Sequence, residues 1–391
     1  MKFAPILLAA WAASPWLWAE PASVPSTAYA KWPHGPSADP GFFPLAVWLQ
    51  APANAERYRQ AGFNTYIGLW QGPTEAQLAR LKQAGMRVIC EQNEVARRHL
   101  DDPTIIGWMH GDEPDNAQSL GAGLGWGPPV APERVAADYR RMRAVDASRP
   151  VLLNLGQGVA WDGYPGRGVR SHHPEDYPQY LAGCDIVSFD IYPAVHERAE
   201  VAGKLWYVAQ GVQRLVQWSN GRQIVWNCLE CTRINNPARK PTPREVCAEA
   251  WMSLIHDSRG LVFFVHQFKP SFREAALLDD AEMLEAITAL NRQITSLAPV
   301  LNSPSLPAAA KAESEDPAVP VALLVKQHQG ATYLLAVGLR DGATRATFTC
   351  KGLAGDRAVE VLGEQRSLAA HNGSFQDHFA AWEAHLYRLG P

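Results

Sequence analysis

The chain lacks the charge imbalance that would commit it to a polyanion. It carries 36 Lys and Arg against 39 Asp and Glu over 391 residues, a formal net charge of −3. With the signs mixed along the chain there is no basic stripe of the kind a phosphate backbone demands, which argues against nucleic acid as a partner. Cysteine is also sparse. Cys90, Cys184, Cys228, Cys231, Cys247 and Cys350 are spread over the whole length, unlike the dense framework of a small disulfide-stapled domain. Cys228-x-x-Cys231 has no second CxxC or His pair at ligand spacing, so these are read as structural or disulfide cysteines and no metal is assigned. A Gly-x-Gly-x-x-Gly after the first apolar strand is missing, which removes dinucleotide binding, and no cofactor is expected.

What is present describes a large globular protein. Hydrophobic residues make up 47%, charged residues 19%, and there are 14 Trp, a composition that buries a large core. Single cores stop growing near ~250–300 residues, so the length predicts one large unit and one small one. Residues 1–19 read as an export signal. Met1-Lys2 forms a short positive start, Phe3 to Trp18 is apolar, and Ala19 offers a small residue at the cut. The alternative, a membrane anchor, is disfavoured by Pro5 and Pro15 and by a run shorter than the ~20 residues a spanning helix needs. The mature protein is expected in the periplasm or secreted, without stable membrane insertion.

From residue 42 onward, short β-type runs alternate with longer helical patterns. The runs are FFPLAVWLQ, FNTYIGLW, MRVICEQ, IIGWMHGDE, PVLLNLGQG, DIVSFDIYP, QIVWNCLE and LVFFVHQF. Between them lie amphipathic stretches such as 74–85, 132–146 and 242–258, opened by cap or Pro signals. Eight apolar strands with helical crossovers in about 250 residues predict a closed (β/α)8 TIM barrel rather than an open sheet. Near residue 297 the character changes. A Pro-, Ala- and Ser-rich stretch reads as a connector over 298–317, and the alternating, Gly-broken tail predicts a small C-terminal all-β sandwich over 318–391. The fold class is thus α/β, with the barrel over 20–297 and no solenoid repeat.

In such barrels chemistry sits at the C-terminal ends of the strands. Asp112 and Glu113 fall where strand four ends, and Glu230 falls where strand seven ends. Either Glu alone reads as an ordinary strand-end residue, but the pair can face each other across a bound bond. Breaking a glycosidic bond needs one acid to protonate the leaving oxygen and one carboxylate to meet the anomeric cation.

A Trp-x-x-x-Asp-Glu-Pro run closing strand four, an apolar strand seven ending in Glu230, and a trailing β-sandwich resemble the retaining glycoside hydrolases of the large TIM-barrel clan. The resemblance implies Glu113 as acid/base and Glu230 as nucleophile, acting on an oligosaccharide or polysaccharide. The clan usually has Asn where this chain has Asp112. A carboxylate there still accepts from a sugar hydroxyl, and its charge raises the proton affinity of Glu113. The same change also marks a decayed site as an alternative, a carbohydrate-binding barrel without turnover. The clan commonly has a Tyr at the end of strand six, which makes Tyr192 the expected hydrogen-bond partner of Glu230, at ~2.6–3.2 Å. The two carboxyls are expected ~5–5.5 Å apart.

Other strand ends supply sugar contacts. Trp48, Trp70 and Trp161 offer flat faces, while Trp226 reads as platform or as core depending on register. His110, Gln92, Asn93, His266 and Gln267 are polar groups at the mouth, and Asp190 is a candidate supporting residue. His172 lies in RSHHPEDYP, a stretch that imitates a metal cluster but reads as a sugar-binding loop, because adjacent residues do not easily converge on one ion.

Overall fold

The structure is a computed structural model that describes residues 28–390. The expected export signal, 1–19, lies outside the described residues, and among them no helix is long and apolar enough to cross a membrane. The strands form where the sequence places them: β1 Leu45–Trp48, β2 Thr65–Ile67, β3 Arg87–Cys90, β4 Ile105–Met109, β5 Val151–Leu155, β6 Ile186–Phe189, β7 in two pieces, Ile224–Val225 and Asn227–Glu230, and β8 Leu261–Phe264. Each pairs in parallel with the next, and β8 pairs back onto β1 through Leu45↔Leu261 and Val47↔Phe263, closing the barrel. The helices are α1 Ala55–Gln60, α2 Glu75–Ala84, α3 Glu94–Arg98, α4 Pro132–Val145, α5 Tyr177–Tyr180, α6 Trp206–Ser219, α7 Pro243–Ile255 and α8 Ala281–Leu301. One follows each strand, as continuous apolar strands that need cover on both faces require.

Alternation along the strands sorts side chains into two cores. Ala46, Ile67, Ile89, Ile106, Leu152, Ile186, Ile224, Trp226, Cys228 and Val262 fill the barrel, whereas Leu45, Val47, Val88, Val151, Leu153 and Val187 pack against the helices. Tyr29 and Trp32, from the segment ahead of β1, join the inner core. The Trp226 indole donates to the Tyr29 hydroxyl at 2.8 Å, and that hydroxyl donates to the Arg259 carbonyl at 2.8 Å. Trp226 is fully buried, so of its two readings the core one holds. Its indole leaves no space beside Gly260, where a Cβ would lie 2.6 Å from the ring.

Eight antiparallel strands follow: β9 Ala310–Ser314, β10 Val321–His328, β11 Ala331–Gly338, β12 Thr344–Cys350, β13 Asp356–Val361, β14 Arg366–His371, β15 Ser374–Phe379 and β16 Ala384–Leu389. Their order is β9-β12-β15-β14-β13-β16-β11-β10, wrapped around Phe348, Phe375, Phe379 and Tyr387. Residues 298–317, read as a connector, contain the last turn of α8, which continues through Pro299 to Leu301, and the edge strand β9. Proline composition misleads there because Pro299 withholds a donor from only one carbonyl, that of Thr295, and the helix runs just two residues past it. Leu335, Val337, Trp382 and Leu386 of the sandwich belong to the same apolar cluster as the barrel's outer layer.

Candidate active site

Strand β4 ends into a turn, Gly111–Asp115, that several partners hold. The Glu113 N–H donates to the Asn154 carbonyl at 3.2 Å, and the Asn116 N–H donates to the Glu113 carbonyl at 3.1 Å. Asp115 is fully buried and accepts from the Gly156 N–H at 2.9 Å and the Tyr177 hydroxyl at 3.0 Å. Glu113 itself lies in the left-handed region, φ 44°. A residue with a Cβ adopts that conformation at a cost of about 1–3 kcal/mol, sustained only where the surroundings over-determine it, and such strain gathers at functional sites.

The turn presents two carboxyl groups to the mouth. Asp112 accepts from the Asn154 side-chain Nδ2 at 2.9 Å, and the Asn154 side-chain Oδ1 accepts from the Ser188 hydroxyl at 2.7 Å. Solvent reaches Asp112, yet protein surrounds it on its other sides at the floor of a concave mouth. That desolvation, followed by the charge of Asp190, pushes its pKa up to about 7, against the lowering effect of Asn154. Glu113 is raised well above the carboxylate range by desolvation and then by the charge of nearby Asp190. Asp190, at the end of β6, is also raised by burial, while neighbouring Glu113 and Tyr192 favour its charged form. Two carboxyls so placed retain a proton between them at neutral pH, because both cannot ionise side by side. Glu113 is therefore an acid with a proton to give beside the open carboxylate Asp112.

Glu230 is placed differently from the expectation. It is fully buried, and its two oxygens accept the Ala194 N–H at 2.6 Å and the Val195 N–H at 2.9 Å. Its carboxyl neighbours that of Glu249, also fully buried, on α7. Burial pushes the Glu230 pKa up to about 8, and burial followed by the charge of Glu230 raises Glu249 as well. The carboxylates pressing on Glu113 are Asp190, Asp112 and Asp115. The expectation that Glu113 and Glu230 confront each other across the mouth is thus corrected. The β6–α6 backbone captures Glu230, because two N–H donors in succession form a cradle that suits a carboxylate. Tyr192, contrary to expectation, is not among the hydrogen-bond partners of Glu230, which are the Ala194 and Val195 N–H groups, and its ring packs on Phe264.

Two clefts meet at Asp112. One, of about 600 Å³, is lined by Asp112, Glu113, Gln118, Trp126 and Tyr164, and the other, of about 820 Å³, by Trp48, Gln92, Asn93, His110 and Asp112. Trp48 is nearly buried at the barrel top, whereas Trp70 stands 69% exposed on the rim. His110 donates to the Gly183 carbonyl at 2.7 Å, and burial lowers its pKa, which keeps it neutral. Asn93 caps α3 through the Ala96 N–H, and the Gln92 amide holds the Met142 carbonyl. Trp161 packs on Tyr164 and His196 at 5.8 and 5.7 Å. His266 is buried against Gln50 at 3.1 Å, and Gln267 is bonded within its own loop to Arg273 and Ser271. His172 is exposed on the loop after β5 and lines neither cleft. Its neighbours form an ion-pair lock, Asp176 with Arg167 at 2.8 Å and with Arg170 at 2.5 Å. Sequence reasoning missed Asn154, Tyr164 and Trp126 and ranked Asp190 as support. Asp190 was legible as a strand-end acid, whereas Trp126 is hidden in a glycine-rich loop.

No protein-family model matches the sequence, and no curated protein matches it. Several solved structures share the architecture. An alpha-amylase from Geobacillus thermoleovorans, complexed with acarbose, is 11% identical with a TM-score of 0.53, covering 89% of this chain and 98% of its own. AmyP in complex with maltose is 10% identical with a TM-score of 0.52, covering 90% and 96%. The noncanonic maltogenic alpha-amylase AmyB from Thermotoga neapolitana is 9% identical with a TM-score of 0.50, covering 89% and 99%. The likeness extends over nearly the whole chain and establishes the fold, a TIM barrel followed by an antiparallel β domain.

Proposed function

We propose that the protein is a glycoside hydrolase in which Glu113 is the general acid/base. The observation that carries this reading is the placement of Glu113 and Asp112 side by side in a cleft at the C-terminal mouth, where barrels of this kind place their chemistry. Glu113 protonates the leaving oxygen as the bond breaks, and Asp112, oriented by Asn154, meets the cation at the anomeric carbon. Glu230 contributes through the backbone it holds. Residues 1–19 direct export, with cleavage after Ala19, which N-terminal sequencing of the protein from the periplasmic and secreted fractions tests.

A panel of aryl glycosides tests the chemistry. Glu113→Gln is expected to lower turnover by roughly 10²–10⁴-fold on substrates with poor leaving groups, the usual share of general acid catalysis, and much less on activated ones. Asp112→Gly should be rescued by azide as a glycosyl azide. Rescue of Glu230→Gly instead would return the nucleophile to strand seven. The placement of Glu230 away from the mouth favours a second reading, a barrel that binds sugar without cleaving it. Saturable binding with no turnover at any pH would establish that one.

A further inference from the structure

The acid centre is continuous with a run of aromatic rings that leads out of the mouth. Tyr192, beside Asp190, packs on Phe264 with ring centroids 5.4 Å apart; Phe264 meets Phe268 at 6.1 Å, and Phe268 meets Phe272 at 5.8 Å. Exposure grows along the run, from half-buried Tyr192 and Phe264 to Phe268 at 44% and Phe272 at 63%. The outer rings are braced. His266, itself held by Gln50, lies parallel to Phe268 within 6° and to Phe272 within 25°.

The opposite bank carries a matching feature. Trp126, 74% exposed, lines the cleft that contains Glu113. It stands on a short hairpin closed by the Ser119↔Trp126 bridge and by the Gly127 N–H on the Gln118 carbonyl at 2.7 Å. Phe268 and Phe272 follow β8, and Trp126 follows β4, four strands away around a barrel of eight, on the same β4–α4 segment that carries Asp112 and Glu113. Among the described residues, the exposed large apolar side chains other than Val145 all sit on segments that follow barrel strands. Exposed apolar surface gathered on one face marks a binding surface. The Glu113 cleft holds Asp112 and no Lys or Arg, while Arg97 and Arg141 line the neighbouring cleft; no cation lining the Glu113 cleft offsets the charge of an anionic sugar, whereas an uncharged ring stacks its apolar face on an aromatic plane.

Resting on the glycoside hydrolase reading, we propose that the substrate is an uncharged polysaccharide chain lying across the mouth, seated on Phe268 and Phe272 at one end and on Trp126 at the other. The bond between the two seats then falls over Glu113. The test uses the full chain carrying Glu113→Gln, so that binding is measured without turnover, by affinity electrophoresis in gels containing arabinoxylan, galactomannan, mixed-linkage glucan, amylopectin or polygalacturonate. At least one neutral polymer should retard the protein, and polygalacturonate should not. Adding Phe268→Ala and Phe272→Ala, or Trp126→Ala, should weaken binding at least tenfold, and Phe272→Trp should preserve it. In the active protein Phe268→Ala and Phe272→Ala should leave kcat/KM on single-sugar aryl glycosides within twofold. Retardation that survives both alanine sets, or retention by polygalacturonate alone, overturns the proposal. Hydrolysis of aryl glycosides without binding of any polymer overturns it while the hydrolase reading stands, and absence of both removes the two together. A self-association that the alanine variants abolish, with no polymer bound, would assign the rim to a second copy of the chain.

Discussion

At the scale of the residue, the proposed acid/base role turns on how much proton affinity neighbours impose on Glu113. Desolvation acts first and the Asp190 charge next, and both favour the protonated acid. Activity that needs this proton is lost as pH rises past the pKa of the pair. Asp190→Asn removes the negative neighbour and with it part of the elevation. The alkaline limb of the kcat/KM profile should therefore move to lower pH, by about one unit or more, while turnover below pH 5 falls less. A limb that stays in place would mean that Asp190 does not act on Glu113. Asn154 makes a separate prediction. Its side-chain Nδ2 holds Asp112 and its side-chain Oδ1 accepts from buried Ser188, so Asn154→Ala should reduce kcat about tenfold or more while thermal stability falls by about 1–3 kcal/mol, the cost of orphaning a buried polar partner.

At the scale of the element, β7 and α7 meet at a pair of buried acids, Glu230 and Glu249. Helix α7 begins at a capping box between Thr242 and Glu245, and one turn further on Glu249 stands beside Glu230, which in turn clamps the β6–α6 backbone at Ala194 and Val195. The sign of the pH effect follows from the folded pKa of Glu230, about 8 against an ordinary 4.5. The folded state holds a proton that the unfolded chain releases, so this contribution is complete below the unfolded pKa and is lost as pH rises toward 8. Glu249→Gln supplies N–H donors in place of the second acid. The melting temperature of the variant should fall less between pH 5 and 8 than that of the wild type, with a gain of about 1 kcal/mol at pH 8. Parallel melting curves would count against the proton held at Glu230.

At the scale of the whole molecule, the sandwich is packed onto the barrel through an interface that includes a buried lysine. Lys326, with no exposed surface, donates to the Ser303 carbonyl at 2.8 Å. Burial, with Arg259 nearby, lowers its pKa to about 7. Here the unfolded state binds the extra proton between pH 7 and 10.5, so stability rises with pH across that window. Lys326→Met should flatten that rise and raise the melting temperature at pH 7, as scanning calorimetry at several pH values would show. An unchanged slope would place the ammonium in water.

The barrel was legible in the sequence because its signal is local. FFPLAVWLQ, PVLLNLGQG and LVFFVHQF are apolar on both faces, and only a sheet covered on one side and filled on the other accommodates such strands. The antiparallel tail was legible from its Gly-broken alternation, and Glu113 from its place at a strand end. The sequence could not show which acids meet. Glu113 and Glu230 end strands of one barrel, yet the direction of a strand-end side chain depends on backbone beyond the strand. Two N–H groups at Ala194 and Val195 draw Glu230 aside, whereas the left-handed turn at Glu113 directs that residue to Asp190. Those contacts join residues 36 and 77 positions apart, counting 230 − 194 and 190 − 113. Periodicity reports which face a residue takes within its own element, and only packing between elements decides which charge it finds there.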